Sequence, residues 1–362
     1  MDRADNRVLV AMSGGVDSSV TALLLHRQGY DVVGITMKTW DYATSGGQRK
    51  TTGCCSLDDI HDARALAVDL GFPHHILDIR EEFGEFIIDN FTSEYLSGRT
   101  PNPCVLCNTH IKWNALLRRA DLLGCRWIAT GHYARVRQEN GRYVVSKGRD
   151  AAKDQSYVLW GLSQAALART LLPLGGFTKA EIRQIAREAG YENLSRKAES
   201  YEICFVPDND YRAFLRRRVP HIDEKIGPGV FVDSKGQVVG RHQGYPFYTV
   251  GQRKGLGIAL GHPVFVTRID PDTNTVYVGT EEDLKKHTVF VRDYNLIKYP
   301  DIKEPMDVWA KIRYKDPGGP AKLLAEGNML ELQFQTPVSA VAPGQSAVFY
   351  EGDDLVGGGI IV

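Results

Sequence analysis

No apolar run in this chain approaches the roughly 20 residues that cross a bilayer, so a transmembrane helix is not expected. The first residues, Met1-Asp2-Arg3-Ala4-Asp5-Asn6, hold neither the apolar core of a secretion signal nor the arginines of an organelle presequence, and a cytoplasmic location is expected. Neither charge is in excess: Lys+Arg and Asp+Glu both number 44. That excludes a protein basic all over, although a nucleic acid needs only a local basic face. Cysteine is sparse. The six are Cys54, Cys55, Cys104, Cys107, Cys125 and Cys204, and in a cytoplasmic chain they fit catalysis, metal binding or burial better than disulfide staples. The phosphate loop GxxxxGK[ST] is also missing. What remains is the profile of a globular protein, 362 residues long and 43% hydrophobic, with room for two or three domains.

The most informative stretch runs from Arg7 to Ser19. Val8 to Ala11 is a short apolar run of the kind that forms a buried parallel strand. Gly14-Gly15 lets the backbone turn sharply and approach a ligand closely. Asp17, Ser18 and Ser19 open a helix with Val20, Leu23 and Leu24 on one face. Free N–H groups at a helix N-terminus suit phosphate. The stretch resembles the SGGxDS loop of ATP pyrophosphatases (PP-loop enzymes), which adenylate a carbonyl oxygen and release pyrophosphate.

Strands are expected at Asp31–Met37, His75–Ile79 and Trp127–Thr130, and helices from Ser56 to Leu70, Glu81 to Tyr95 and Ile111 to Leu123. This alternation implies an α/β fold with a doubly wound parallel sheet, whose ligands sit beyond the strands' C-terminal ends. Asp41 to Gly53 reads as a mobile loop. From Phe205 the texture changes to a basic helix, Tyr211–Arg218, and short strands between glycine turns. From Val264 alternating strands, including Val308–Tyr314, imply a small antiparallel β-barrel. The expected domains are 1–204 for catalysis, 205–278 in the centre and 279–362 for the barrel.

Thr100-Pro101-Asn102-Pro103-Cys104-Val105-Leu106-Cys107-Asn108 is the second informative stretch. The prolines hold the backbone extended. With a helix starting near Asn108, Cys104 and Cys107 are expected in an exposed loop where a thiolate is favoured. Cys54-Cys55 and Cys125 are read as non-catalytic.

These stretches, with Ala129-Thr130-Gly131-His132-Tyr133, Lys153-Asp154-Gln155-Ser156-Tyr157, Ile203-Cys204-Phe205 and the run from Tyr248 to Gly257, resemble in order and spacing the bacterial tRNA-specific 2-thiouridylases. The resemblance covers nearly the whole chain. It implies ATP-dependent thiolation of the wobble uridine of tRNAs for Lys, Glu and Gln, with sulfur from a persulfide donor protein. It implies ATP, with Mg²⁺, at Ala11, Met12, Ser13, Gly14, Gly15, Val16, Asp17 and Ser18, with Met37 and Gly131 around the adenosine. Cys107 matches the nucleophile and Cys204 the persulfide carrier. Asn102, Pro103 and Cys104 match the segment beside the target base. His132, Lys153, Asp154, Gln155, Arg313, Tyr314 and Gln345 match tRNA contacts. Asp17 is the candidate Mg²⁺ ligand.

The chain departs from the family at Cys104, where many members carry Asp, and at Glu199-Ser200-Tyr201-Glu202, where Asp-Ser-Thr-Gly is usual. Two sulfur chemistries stay open. One is a persulfide on Cys204 resolved by Cys107; the other is a [4Fe–4S] cluster held by Cys104, Cys107 and Cys204. Ser195–Glu202 is expected to be mobile enough to carry Cys204. Further RNA guidance is expected from Arg212, Arg216, Arg217 and Arg218, from Arg241-His242, from Arg253-Lys254, and from Lys311, Arg313 and Lys315 around Tyr314 on a strand.

Overall fold

The computed structural model describes residues 6–40, 57–197, 203–206 and 208–362. The expected loop at Asp41–Gly53, Cys54-Cys55, the Ser56 cap and Glu199–Glu202 lie outside them. The chain divides into two units: 1–87, 104–209 and 353–355 form the first, and 88–103, 210–352 and 356–362 the second.

In the first unit a parallel sheet runs β3 (His74–Asp78), β2 (Asp31–Lys38), β1 (Arg7–Ala11), β4 (Trp127–Ala129), β7 (Thr170–Leu171). Val8, Leu9 and Val10 are fully buried, as the central strand of a sheet covered on both faces requires. Helix α1 (Val16–Arg27) is less one-sided than its sequence implies. Ser18, Ser19, Thr21 and Ala22 are buried with Val20 and Leu23, because α1 lies between the sheet and the helix Lys179–Glu188. Val16, Val20, Tyr133, Leu174, Ile182 and Ala186 form that second contact. A hairpin absent from the expectations, β5 (Ala134–Glu139) and β6 (Arg142–Lys147), completes this unit, and Asp354 pairs with Ser146 at its edge.

The second unit holds a four-stranded sheet, β10 (Phe265–Asp270), β11 (Thr275–Gly279), β8 (Gly229–Val232), β9 (Val238–His242). It also holds the expected antiparallel barrel. Six strands close on themselves in the order β12 (Lys285–Leu296), β15 (Met329–Ser339), β14 (Gly319–Glu326), β13 (Met306–Lys311), β16 (Ser346–Glu351), β17 (Asp354–Ile361), with β17 returning to β12. Val289, Val291, Leu323, Leu332 and Phe349 fill it. The 88–103 segment packs on this unit through Phe91 against Phe214 and Tyr95 stacked on Tyr211 at 4.5 Å.

Candidate active site

The loop between β1 and α1 is built around Gly14. Its φ of +71° is open to glycine, and a Cβ there would lie 2.1 Å from the carbonyl oxygen of Asp59. The Ser18 hydroxyl accepts from the Ser13 N–H at 3.0 Å and donates to the Gly15 carbonyl at 3.1 Å, bracing the turn from inside. Gly15 is the N-cap, so the first-turn N–H groups of α1 have no intrahelical acceptor. They form an anion-binding end at the C-terminal edge of the sheet. Gly131 lies against this turn: a Cβ on it would stand 3.1 Å from the Ser18 nitrogen.

Asp17 faces a different partner from the one expected. Both its oxygens bind Lys179 Nζ, at 2.8 and 2.7 Å, and Oδ1 also accepts from the Tyr133 hydroxyl at 2.7 Å. In this structure the Asp17 carboxylate is thus engaged by an ammonium on both oxygens and by a phenol on one. The network extends to Gln155, which accepts from the Tyr133 N–H through Oε1 and donates its own N–H to the Tyr133 carbonyl. A second lysine, Lys197, donates to the Gly14 carbonyl at 3.0 Å and pairs with Asp59 at 2.8 Å and with Asp62. Burial alone would lower its pKa, but the two carboxylates outweigh burial and hold it above the ordinary lysine value. Sequence reasoning missed both lysines and Tyr133.

The cysteines differ from expectation in setting. Helix starts at Pro103, not near Asn108, and runs through Leu122, with a π-helical stretch at Cys107–Lys112. Pro103 stands at the first helical position, where its missing N–H costs nothing. Cys107 is therefore buried in the second turn rather than exposed in a loop at a helix end. Trp113 anchors this helix by donating from Nε1 to Thr170 at 2.8 Å, and Asn108 by donating to the Val158 carbonyl at 3.1 Å. Local π geometry of this kind is frequent at functional sites. Cys104 lies one turn earlier and is exposed, yet recessed enough that desolvation raises its thiol pKa against the opposing charge of Lys112. Cys204 is exposed on a turn closed by the Val206 N–H and the Ile203 carbonyl, and the next residue, Phe205, is buried edge-on to Phe83 at 5.8 Å. Up to Lys197 the stretch before it is tied to the first unit: Ser195 is buried, and Arg183 donates to the carbonyls of Ser195 and Lys197. None of Cys104, Cys107, Cys125 and Cys204 is in a disulfide, and Cys125 is buried. Among the described residues no three His, Cys, Asp or Glu side chains converge as a metal site, so the alternative of a cluster on Cys104, Cys107 and Cys204 has no ligand set here.

Several expected RNA contacts are turned toward protein. His132 is buried against Trp113, shares a 2.8 Å hydrogen bond with Thr130, and is held neutral by burial, with its pKa pushed down to about 3. Asp154 accepts from the N–H groups of Gly148 and Ser156. Gln345 donates to the carbonyls of Thr100 and Pro101, at 3.1 and 2.8 Å, fixing the strap before Asn102 and Pro103. In the basic helix, Arg216 pairs with Asp223 over the Phe247 ring, Arg218 pairs with Asp89, and Arg212 lies over Tyr248. His242 is buried. Strand β13 ends at Lys311, so Arg313, Tyr314 and Lys315 stand on an exposed turn and not on a strand face. Asp316 folds that turn back, accepting from the Ile312 N–H at 3.1 Å. Lys153, Arg241, Arg253 and Lys254 lie at or near the surface, the last two on an irregular loop.

Over 98% of its length the chain is 65% identical to a tRNA-specific 2-thiouridylase MnmA of Amoebophilus asiaticus (strain 5a2), 95% of which it covers. It belongs to the tRNA-specific 2-thiouridylase family. Members from Cytophaga hutchinsonii and Salinibacter ruber are 59% and 57% identical, each over 98% of this chain and over 97% and 94% of their own. Three family models match in turn: a tRNA methyl transferase HUP domain at 6–208, a tRNA methyl transferase PRC-barrel domain at 212–280 and an aminomethyltransferase beta-barrel domain at 286–361. The 2-thiouridylase relatives are named for sulfur chemistry, whereas these domain descriptions name methyl transfer. Relatives that match from end to end at such identity are the stronger guide to this chain.

Proposed function

We propose that this protein performs ATP-dependent 2-thiolation of uridine at the wobble position of tRNAs for Lys, Glu and Gln. The observation that carries the reading is the glycine turn of β1–α1, an anion-binding end, in the same unit as Cys107 and Cys204. The uracil C2 oxygen attacks the α-phosphate of ATP, the bond to the β-phosphate breaks, and pyrophosphate leaves. Backbone N–H groups from Gly14 to Asp17 stabilise the charge on the phosphate oxygens. Mg²⁺ enters on the nucleotide as part of that substrate. Met37 and Gly131 border the adenosine.

Sulfur arrives as a persulfide on Cys204 from a donor protein. In one route its terminal sulfur attacks C2, AMP leaves, and the Cys107 thiolate then attacks the Cys204 sulfur to release 2-thiouridine. In the other, Cys107 attacks first and the freed hydrosulfide attacks C2. Both leave a Cys107–Cys204 disulfide, which a dithiol must reduce before the next turnover. The base has to leave the anticodon stack, passing Asn102, Pro103 and Cys104. Exposed cations at Arg241, Arg253, Lys254 and Arg313, with Tyr314 and the half-buried Lys153, are the surfaces offered to the RNA backbone. The reaction belongs with the cytoplasmic tRNA pool.

The test uses labelled ATP, labelled persulfide and unmodified tRNA. The products should be AMP and pyrophosphate; ADP as the main product would refute adenylation. Cys204→Ser should take up no persulfide sulfur. Cys107→Ser should load Cys204 without completing transfer. Normal thiolation by either variant would remove the two-cysteine mechanism.

A further inference from the structure

Lys197 lies in the Ser195–Glu202 stretch, whose sequence suggests only a carrier for Cys204, yet its ammonium group reaches the β1–α1 turn. Its three N–H bonds match three acceptors: the Gly14 carbonyl at 3.0 Å, Asp59 at 2.8 Å, and Asp62. The backbone of Lys197 is fixed as well. Its N–H donates to the Leu194 carbonyl at 3.2 Å, and its carbonyl accepts from Arg183 at 3.2 Å. An ammonium so fully engaged has no donor left for a phosphate, so any effect on the nucleotide passes through Gly14.

That effect follows from peptide geometry. The peptide unit between Gly14 and Gly15 is planar and trans, so its C=O and N–H point in opposite directions. Holding the Gly14 oxygen toward Lys197 and α2 (Leu57–Asp69) aims the Gly15 N–H the other way, away from both. Without Lys197, this plane loses the side-chain donor that holds its carbonyl. Glycine offers little resistance to rotation, and a rotated plane would turn an oxygen lone pair toward the anion. Asp59 supports the arrangement twice: its backbone packs against the Gly14 Cα, where a Cβ would come within 2.1 Å, and its carboxylate orients Lys197.

We propose that Lys197 is a positioning residue for pyrophosphate recognition, setting the Gly14–Gly15 peptide so that its N–H faces the β- and γ-phosphates. The proposal rests on the ATP reading of the turn. Its signature is selectivity for phosphate: affinity for inorganic pyrophosphate depends on Lys197, and affinity for adenosine does not.

Calorimetry on the full chain tests it with inorganic pyrophosphate and with adenosine as separate probes. Lys197→Met keeps the aliphatic stem and removes the ammonium. It should weaken pyrophosphate and ATP by about tenfold, the scale of one charge-assisted hydrogen bond, and change adenosine by less than about twofold. Lys197→Arg should restore pyrophosphate binding to within about threefold of wild type. If Lys197→Met does not fold, Asp59→Asn carries the same test, with pyrophosphate affinity falling about threefold and adenosine affinity unmoved. Unchanged pyrophosphate affinity in the variant that folds overturns the assignment, as does an equal loss for adenosine. Wild-type protein that binds neither ATP nor pyrophosphate would instead overturn the ATP reading of the turn.

Discussion

Replacing Lys179 by Met should destabilise the first unit by about 2–3 kcal/mol. Lys179 has 11% of its side chain exposed and binds Asp17, 33% exposed, through both carboxylate oxygens. Deleting one partner of a fully buried pair costs about 3–5 kcal/mol, because the other charge is left without compensation. Here water reaches a third of Asp17, and the Tyr133 hydroxyl still donates to it at 2.7 Å, so the lower value applies. Urea unfolding of the full chain, followed by tryptophan fluorescence, measures the loss. Trp40, Trp113, Trp127 and Trp160 lie in the first unit and Trp309 in the second, so the signal reports mainly on the unit perturbed. The double variant Lys179→Met with Asp17→Asn leaves no orphan charge, and Asn can still accept from Tyr133. It should recover most of the loss, ending within about 1 kcal/mol of wild type. A loss below about 0.5 kcal/mol in the single variant, or additivity in the double, would refute the claim that the two residues act as a pair.

Three other predictions are independent of that network. His132 has a folded pKa of about 3 against an ordinary value of 6.5, so the unfolded chain binds the extra proton and stability falls as pH drops from about 6.5 toward 3. At pH 5 the loss should be about 2 kcal/mol, and His132→Asn should lack this acid dependence in melts across pH 5–8; equal slopes would argue against burial of a neutral ring. Because desolvation raises the Cys104 thiol above its ordinary value of 9.0, its alkylation rate should still be climbing past pH 9; a plateau below pH 8 would contradict this. Arg313→Ala should weaken tRNA binding by about 1 kcal/mol and reduce the salt dependence by about one phosphate contact, checked by titration across salt concentrations; an unchanged slope would take Arg313 off the RNA surface.

The β1–turn–α1 corner was legible because its determinants are local: an apolar run, two glycines, and hydroxyls that brace their own turn. The barrel was legible from alternation and turn residues. Strand β14 was hidden by its start, since Pro320 sits in the ladder opposite Trp309 directly after the Pro317-Gly318 turn. Hairpin β5–β6 was readable in principle. Asn140-Gly141, with φ of 49° and 78°, is a two-residue hairpin turn, but Arg137, Gln138 and Glu139 on one arm mask the apolar alternation. Burial of His132 and the capture of Asp154 and Gln345 by backbone groups are tertiary facts with no local signature. Lys179 did leave a trace. A cation in the first turn of a capped helix opposes the helix dipole, and such a breach of local preference tends to mark a site.

The pairing of Asp354 with the β5–β6 hairpin bears on how this chain is made. Asp354 accepts from the Ser146 hydroxyl at 2.7 Å and from Arg137 at 2.8 and 2.9 Å. These partners are 208 and 217 positions earlier in the chain. On a ribosome adding about 5–20 residues per second, the hairpin emerges roughly 10–40 seconds before the carboxylate that caps it. Throughout that interval Arg137 holds Glu139 and the Ser146 hydroxyl of its own hairpin without the Asp354 carboxylate, and the β6 edge at Ser146 stays open. A stop codon nine residues early would therefore damage the first unit of a protein whose sequence lesion lies in the barrel's last strand.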